Sequence, residues 1–256
     1  MNYEKELLVA KEIASEAGKI MLHYFNKDQR VQIKTDGSPV TIADTTINKL
    51  VIEKLKTVFP DDGVIGEEES TTEYGKGRKW FCDPIDGTIG YTVGLPTAMF
   101  SLSLVIDGNA TLGVAYDPFL KRLFYAVRGQ GAFCNDKMLY VSDTNLKNGA
   151  ITITSNAHRI WDRSTIIDAI MQSTKRVLCF NGAVYKSCLV ATGNTVAYIE
   201  EGVNAHDMAA VHVIIEEAGG KVTGLDGKEY DYTKPFKGTI VSNGTVHDEL
   251  VALINK

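Results

Sequence analysis

The chain has 256 residues, 44% of them hydrophobic and 23% charged, with a formal net charge of −5. The length allows one large domain or two fused halves, and the composition excludes a disordered or collagen-like chain. Its Lys and Arg residues form no run of the kind that grips a nucleic acid backbone, so no nucleic acid polymer is expected as a partner.

An amphipathic helix is predicted first. Tyr3, Leu7, Ala10, Ala14, Ala17, Met21 and Tyr24 recur at spacings of four and three, and the stripe suits core packing because Ala is too small to drive a coiled coil. Glu4, Lys5, Glu6, Lys11 and Glu12 interrupt the opening residues, so no signal peptide is read there. The segment 34–44 carries the turn signals Asp36-Gly37 and Ser38-Pro39 and delivers Asp44 to the start of a helix over 45–58, which stops before Pro60. Read locally, Asp44 is an N-cap.

The middle is strand-rich. Trp80-Phe81-Cys82 leads into Asp83, and 98–106, 110–116 and 122–127 read as an antiparallel meander with a hairpin turn at Asp107-Gly108-Asn109. The apolar stretch 99–106 is broken by Ser101 and Ser103 and is too short to cross a bilayer. From 150 onward, strands at 150–155, 177–180 and 195–200 alternate with helices at 161–172, 183–192 and 208–217, and a further strand follows. A polar, turn-rich seam at 142–149 suggests two halves, 1–146 and 147–256. Cys82, Cys134, Cys179 and Cys188 form no C-x-x-C pair, which argues against a zinc framework and fits a reducing compartment. The expectation is a soluble cytoplasmic protein without a membrane segment.

Three acidic clusters stand out: Gly66-Glu67-Glu68-Glu69, Asp83-Pro84-Ile85-Asp86-Gly87-Thr88, and Asp207 at the opening of a helix ending Glu217-Ala218-Gly219-Gly220. In the second, Pro84 stiffens the turn so that two carboxylates face one point. Gly87 and Thr88 then offer backbone N–H groups suited to an anion. Acids beside an anion cradle repel that anion unless metal ions lie between them, which points to a metal-dependent phosphate site. The covalent aspartyl-phosphate motif Asp-x-Asp-Gly-Thr is absent, because Pro84 stands where the nucleophile is needed.

These motifs, in this order and over almost the whole chain, resemble the inositol monophosphatase family of magnesium-dependent, lithium-sensitive phosphomonoesterases. The resemblance implies a layered αβαβα sandwich of the α/β class and, as a common feature, a homodimer. It assigns Glu67, Asp83 and the carbonyl of Ile85 to a first Mg²⁺. Asp83, Asp86 and Asp207 fall to a second, and Glu67 to a weaker third through water. It gives phosphate to the amides of Gly87 and Thr88, and makes Thr88 with Asp44 a water-orienting dyad. Glu200 becomes a contact for substrate hydroxyls, Ala183 part of the substrate wall, and Glu68 an outer neighbour or a solvated acid.

The implied reaction is hydrolysis of a small phosphate monoester by metal-activated water, with myo-inositol 1-phosphate the default substrate. Bisphosphate nucleotidase, fructose-1,6-bisphosphatase and histidinol-phosphatase activities are the rivals, and a non-catalytic binding protein is the alternative of another class. Three departures bear on substrate. Ile89-Gly90 follows Thr88 where a polar residue is usual, and His206 replaces a usual Trp and reads as a packing or hydrogen-bonding histidine, with contact to substrate or phosphate the alternative. Lys186 resembles the nucleotide-directed branch but reads by itself as a solvated helix lysine. His158, Arg159 and Arg163 suit either a second phosphate or an exposed helix entry.

Overall fold

The computed structural model describes residues 3–35, 37–154, 163–174, 176–236 and 238–255, with the backbone alone for 163–167. Helix α1 (Glu4–Tyr24) turns Ala10, Ile13, Ala14, Ala17 and Met21 inward, the face set by the apolar spacing. A short hairpin of β1 (Gln32–Ile33) and β2 (Pro39–Val40) leads to α2 (Ile42–Val58). This helix begins three residues before the predicted start, because Thr41 is the N-cap and Asp44 the third helical residue of a capping box. The Thr41 N–H donates to Asp44 Oδ2 at 2.8 Å.

The first sheet follows chain order: β3 (Gly63–Gly66), β4 (Arg78–Asp86), β5 (Met99–Ile106), β6 (Asn109–Asp117), β7 (Arg122–Val127), β8 (Ala132–Cys134) and β9 (Lys137–Met138), with the short helix α3 (Thr88–Thr92) between β4 and β5. β3 and β4 pair parallel, and the rest antiparallel. The second half supplies β10 (Ala150–Ile153), α4 (Arg163–Ser173), β11 (Arg176–Cys179), α5 (Ala183–Ala191), β12 (Ala197–Glu200), α6 (Ala205–Glu217), β13 (Lys221–Thr223), β14 (Thr239–Ser242) and α7 (His247–Ile254). Its sheet has the order β11-β10-β12-β14-β13. The meander and the alternating second half match the apolar patterns. The hairpins β1–β2 and β8–β9 are too short for periodicity to reveal, and β14 and α7 had no assigned pattern.

Three buried clusters define the layers. The first joins α1 and α2 to one face of the first sheet, the second fills the space between the two sheets around α5 and α6, and the third lies under α4 and α7. The order is therefore αβαβα. α6 lies so close to β6 that a Cβ on Gly113 would stand 2.2 Å from the Ala210 carbonyl oxygen, a contact only glycine permits. Because both its faces are covered, β5 is buried along nearly its whole length, which is why it reads as an apolar run rather than an alternation.

Candidate active site

In an unbroken strand, residues three apart point to opposite faces. β4 does not end at Asp83 as the sequence suggested. It continues to Asp86, and its pairing with β5 shifts register between Asp83 and Asp86. The interval holds Pro84, which has no N–H for the ladder. Both carboxylates thereby come to one side and meet Asp207 of α6, with one oxygen of each lying within 4.8 Å of the others.

The backbone holds each acid in place. Asp83 Oδ1 accepts the Ile85 N–H at 3.0 Å, and the two oxygens of Asp86 accept the N–H groups of Ala183 and Val184 at 2.8 Å each. These last are the opening donors of α5, free of intrahelical partners. Asp207 is the third residue of α6, and its Oδ2 accepts the Asn204 N–H at 2.6 Å.

Glu67 follows β3 and is tied to the end of β4 by its own N–H, which donates to the Cys82 carbonyl at 3.0 Å. Lys34 bridges Glu67 at 2.8 Å and Glu68 at 2.6 Å. Burial opposes the Lys34 charge, but the two glutamates hold its ammonium above the ordinary lysine range. Lys34 escaped notice as a site residue because nothing within its own loop marks it. Thr88 opens α3 after Gly87, whose φ of +86° is left-handed. A Cβ there would also stand a tight 3.2 Å from the Gly182 Cα, so the left-handed backbone calls for glycine and the close approach adds to that preference. Thr88 Oγ1 lies 2.9 Å from the Ile85 carbonyl and 3.4 Å from Asp44 Oδ1.

A cavity of about 170 Å³ is lined by Glu67, Asp83, Ile85, Asp86, Gly87, Thr88, Ala183, Glu200 and Asp207, together with Ser38, Ile89, Asn181, Gly182 and His206. Asp44 does not line it. That residue is fully buried behind Thr88. Burial drives four aspartates up. Asp44 rises to about 7, against the opposing bonds from Thr41. Asp86 also rises to about 7, through burial and then the charge of Asp207. Asp83 lies well above the carboxylate range through burial and the neighbouring Glu67, Asp207 and Asp86, and Asp207 is raised by burial although His206 opposes it.

The residues that depart from the family pattern are now placed. Lys186 is not a solvated helix lysine. It is fully buried, because α5 packs between the sheets, and it pairs with Glu200 at 3.1 Å. Burial opposes the Glu200 charge, but Lys186 and the hydroxyls of Thr154 and Tyr198 hold that carboxyl below the usual range. His206 lines the cavity with Nε2 3.3 Å from Asp207 Oδ1, the hydrogen-bonding form of the expected histidine. Glu68 is half-buried against Lys34, and Ile89 stands exposed at the cavity. His158 and Arg159 lie outside the described residues, as does the side chain of Arg163.

Comparisons with known proteins identify the family. The sequence model of the Inositol monophosphatase family matches residues 2–256. A fructose-1,6-bisphosphatase/inositol-1-monophosphatase of Thermotoga maritima is 31% identical over 242 residues, 93% of this chain and 91% of that protein. A histidinol-phosphatase of Mycobacterium tuberculosis is 32% identical over 261 residues, 98% of each chain. The solved structure of a Thermotoga maritima IMPase superimposes with a TM-score of 0.89 at 30% identity, covering 98% of this chain and 97% of that one. The chain belongs to the inositol monophosphatase family. It is a phosphatase, a phosphoric monoester hydrolase. Among the described residues, no helix is long and apolar enough to cross a membrane.

Proposed function

We propose that the protein is an Mg²⁺-dependent phosphatase of small phosphate monoesters, with myo-inositol 1-phosphate as its first substrate. The observation that carries this reading is the convergence of Asp83, Asp86 and Asp207, three carboxylates whose ionisation burial and mutual repulsion oppose. A hard divalent cation takes oxygen ligands and relieves that repulsion, so the donor set fits Mg²⁺. Glu67, Asp83 and the Ile85 carbonyl would hold one ion, and Asp83, Asp86 and Asp207 a second, with Glu67 reaching a weaker third. When bound, Mg²⁺ supplies Lewis acidity that activates water and offsets phosphate charge.

The remaining roles fall to the chain itself. The Thr88 hydroxyl, backed by Asp44, orients the attacking water. The amides of Gly87 and Thr88 hold phosphate oxygens. Ala183 shapes the wall, and Glu200 accepts a leaving-group hydroxyl. Positioning and electrostatic stabilisation supply most of the catalysis in phosphoryl transfer.

The test is phosphate release from myo-inositol 1-phosphate, fructose 1,6-bisphosphate, histidinol phosphate and adenosine 3′,5′-bisphosphate, with Mg²⁺, with chelator and with Li⁺. The expected result is Mg²⁺-dependent, Li⁺-inhibited release, fastest from the inositol ester. Release undiminished by chelator would overturn the metal reading, and no release from any ester would favour a binding protein on this fold. The same reading includes a cytoplasmic homodimer. The four free thiols support the compartment, and a monomeric mass by light scattering would refute the dimer.

A further inference from the structure

Behind the cavity wall lies a charge that the metal and phosphate sites do not use. Lys186 stands in the middle of α5 and is fully buried. Its Nζ lies 3.1 Å from Glu200 Oε2, hydrogen-bonds Thr154 Oγ1, and stands 4.4 Å from the centroid of the Tyr198 ring. An ammonium is placed so deep only where it is paired, and the pair here has an uneven geometry. Oε2 of Glu200 also accepts the hydroxyls of Thr154 and Tyr198. All three donors therefore converge on one oxygen, and Oε1 takes none of them. Glu200 lines the cavity, whereas Lys186 does not.

We propose that Lys186 is a positioning residue for substrate selection. By holding Glu200 Oε2 from behind, it fixes Oε1 as the acceptor for a hydroxyl of the leaving group and sets how strongly the site prefers a hydroxylated leaving group. The inference rests on the phosphatase reading above. An ionised carboxylate accepts hydrogen bonds and donates none, so it rewards a hydroxyl and penalises a leaving group that brings an acceptor or a second anion to that place. Such an anion would meet Glu200 before it met Lys186, because the carboxylate stands between the ammonium and the cavity. The lysine also faces Asp86 electrostatically, so its charge offsets part of the acidic excess at the back of the site.

The experiment compares kcat and KM for myo-inositol 1-phosphate with those for p-nitrophenyl phosphate, whose leaving group carries no hydroxyl, in the wild type and in Lys186→Met. Methionine keeps an unbranched stem and removes the charge. The ratio of kcat/KM for the inositol ester to that for the nitrophenyl ester is expected to fall about tenfold or more, the scale of a lost hydrogen bond to a charged group, and mainly through KM for the inositol ester. Should the unpaired Glu200 prevent folding, Lys186→Met is placed on Glu200→Gln and is expected to bring no fall in the ratio beyond that of Glu200→Gln alone, because Lys186 acts through Glu200; a further fall would overturn the proposal. Equal losses on both esters would reduce Lys186 to a structural residue and overturn the proposal. So would a rise in KM confined to fructose 1,6-bisphosphate, measured as a third substrate, which would make Lys186 a direct phosphate ligand. Failure of the wild type to hydrolyse either ester would instead overturn the phosphatase reading itself, and this inference with it.

Discussion

Asp117 and the Asp83–Asp86–Asp207 group are both buried carboxylate sites reached by strands of the same sheet. At the end of β6, Asp117 Oδ2 is gripped by the guanidinium of Arg122 at 2.8 and 3.0 Å, while Oδ1 accepts the N–H groups of Phe119 and Leu120 at 3.0 and 3.1 Å. Each oxygen has its donors and the charge has its partner, so the residue locks a turn. The other group has backbone donors too, but the charges that act on it most strongly are further acids; Lys186 reaches Asp86 only through space, and among the described residues the one side chain of a basic residue paired to the group is His206. Burial is common to both sites. The lack of a bonded counter-charge equal to the acids separates them, because a buried anion without one is costly and is retained where something else supplies the charge.

Exchanging charge at each site should sharpen or break this contrast. The largest effect is expected from Asp83→Asn. It should lower turnover more than about a hundredfold at saturating Mg²⁺, beyond the loss from disturbing even an outer partner of a metal ligand. The melting temperature of the metal-free variant should equal or exceed that of the wild type, because one of several repelling charges is gone. Phosphate release and calorimetry check the two halves, and near-normal turnover would move Asp83 into the class of Asp117. Next, Mg²⁺ at a hundred times its Kd should stabilise the wild type by about 2.7 kcal/mol, and most of that gain should vanish in Asp83→Asn. Superimposable melts with Mg²⁺ and with chelator would mean that no cation completes the cluster. A smaller and opposite pattern is expected of Asp117→Ala, which should cost about 2 kcal/mol of stability, discounted because Arg122 is partly exposed. Its turnover at saturating substrate should stay within about twofold of wild type, and a hundredfold loss there would erase the distinction between the two sites.

The contrast also shows what the sequence could carry. Asp83, Asp86, Gly87 and Thr88 lie in one contiguous string, so a motif reading reaches them together. The register shift that turns both aspartates to one side was not legible, since it depends on pairing with β5. Asp44 and Asp207 occupy the same local place, third in a helix with a carboxylate bonded back to the N-cap N–H. Local chemistry cannot tell the two apart, so Asp44 reads as a cap from its own segment and as a site residue only through the family resemblance. Lys34 reaches Glu67 across 33 positions and Lys186 reaches Glu200 across 14. Neither has a local signature, and an isolated lysine on a helix reads as solvated. The layers were more legible because apolar periodicity records burial directly, whereas site assembly records the tertiary fold.

Asp44 offers the most gradual test, spread over pH instead of concentrated in one loss. Its carboxyl rises from 3.8 to about 7 in the folded protein, chiefly through burial, so between those values the folded state holds a proton that the unfolded chain has released. The stability this group contributes is complete below about pH 4 and is lost as pH rises through about 7. His247 runs the other way. Burial between Thr223 and Ser242 depresses it from 6.5 to about 4, so its contribution is present above about pH 6.5 and is lost as pH falls through about 4. Metal-free protein should therefore be most stable in mildly acidic solution, and the alkaline decline should be shallower in Asp44→Asn than in wild type. The difference should not exceed about 1.4 kcal/mol per pH unit. Urea unfolding at pH 5, 6, 7 and 8 in chelator measures both slopes. If the two slopes coincide, Asp44 is held as Asp117 is held, satisfied where it lies, and Thr88 has no buried proton acceptor behind it.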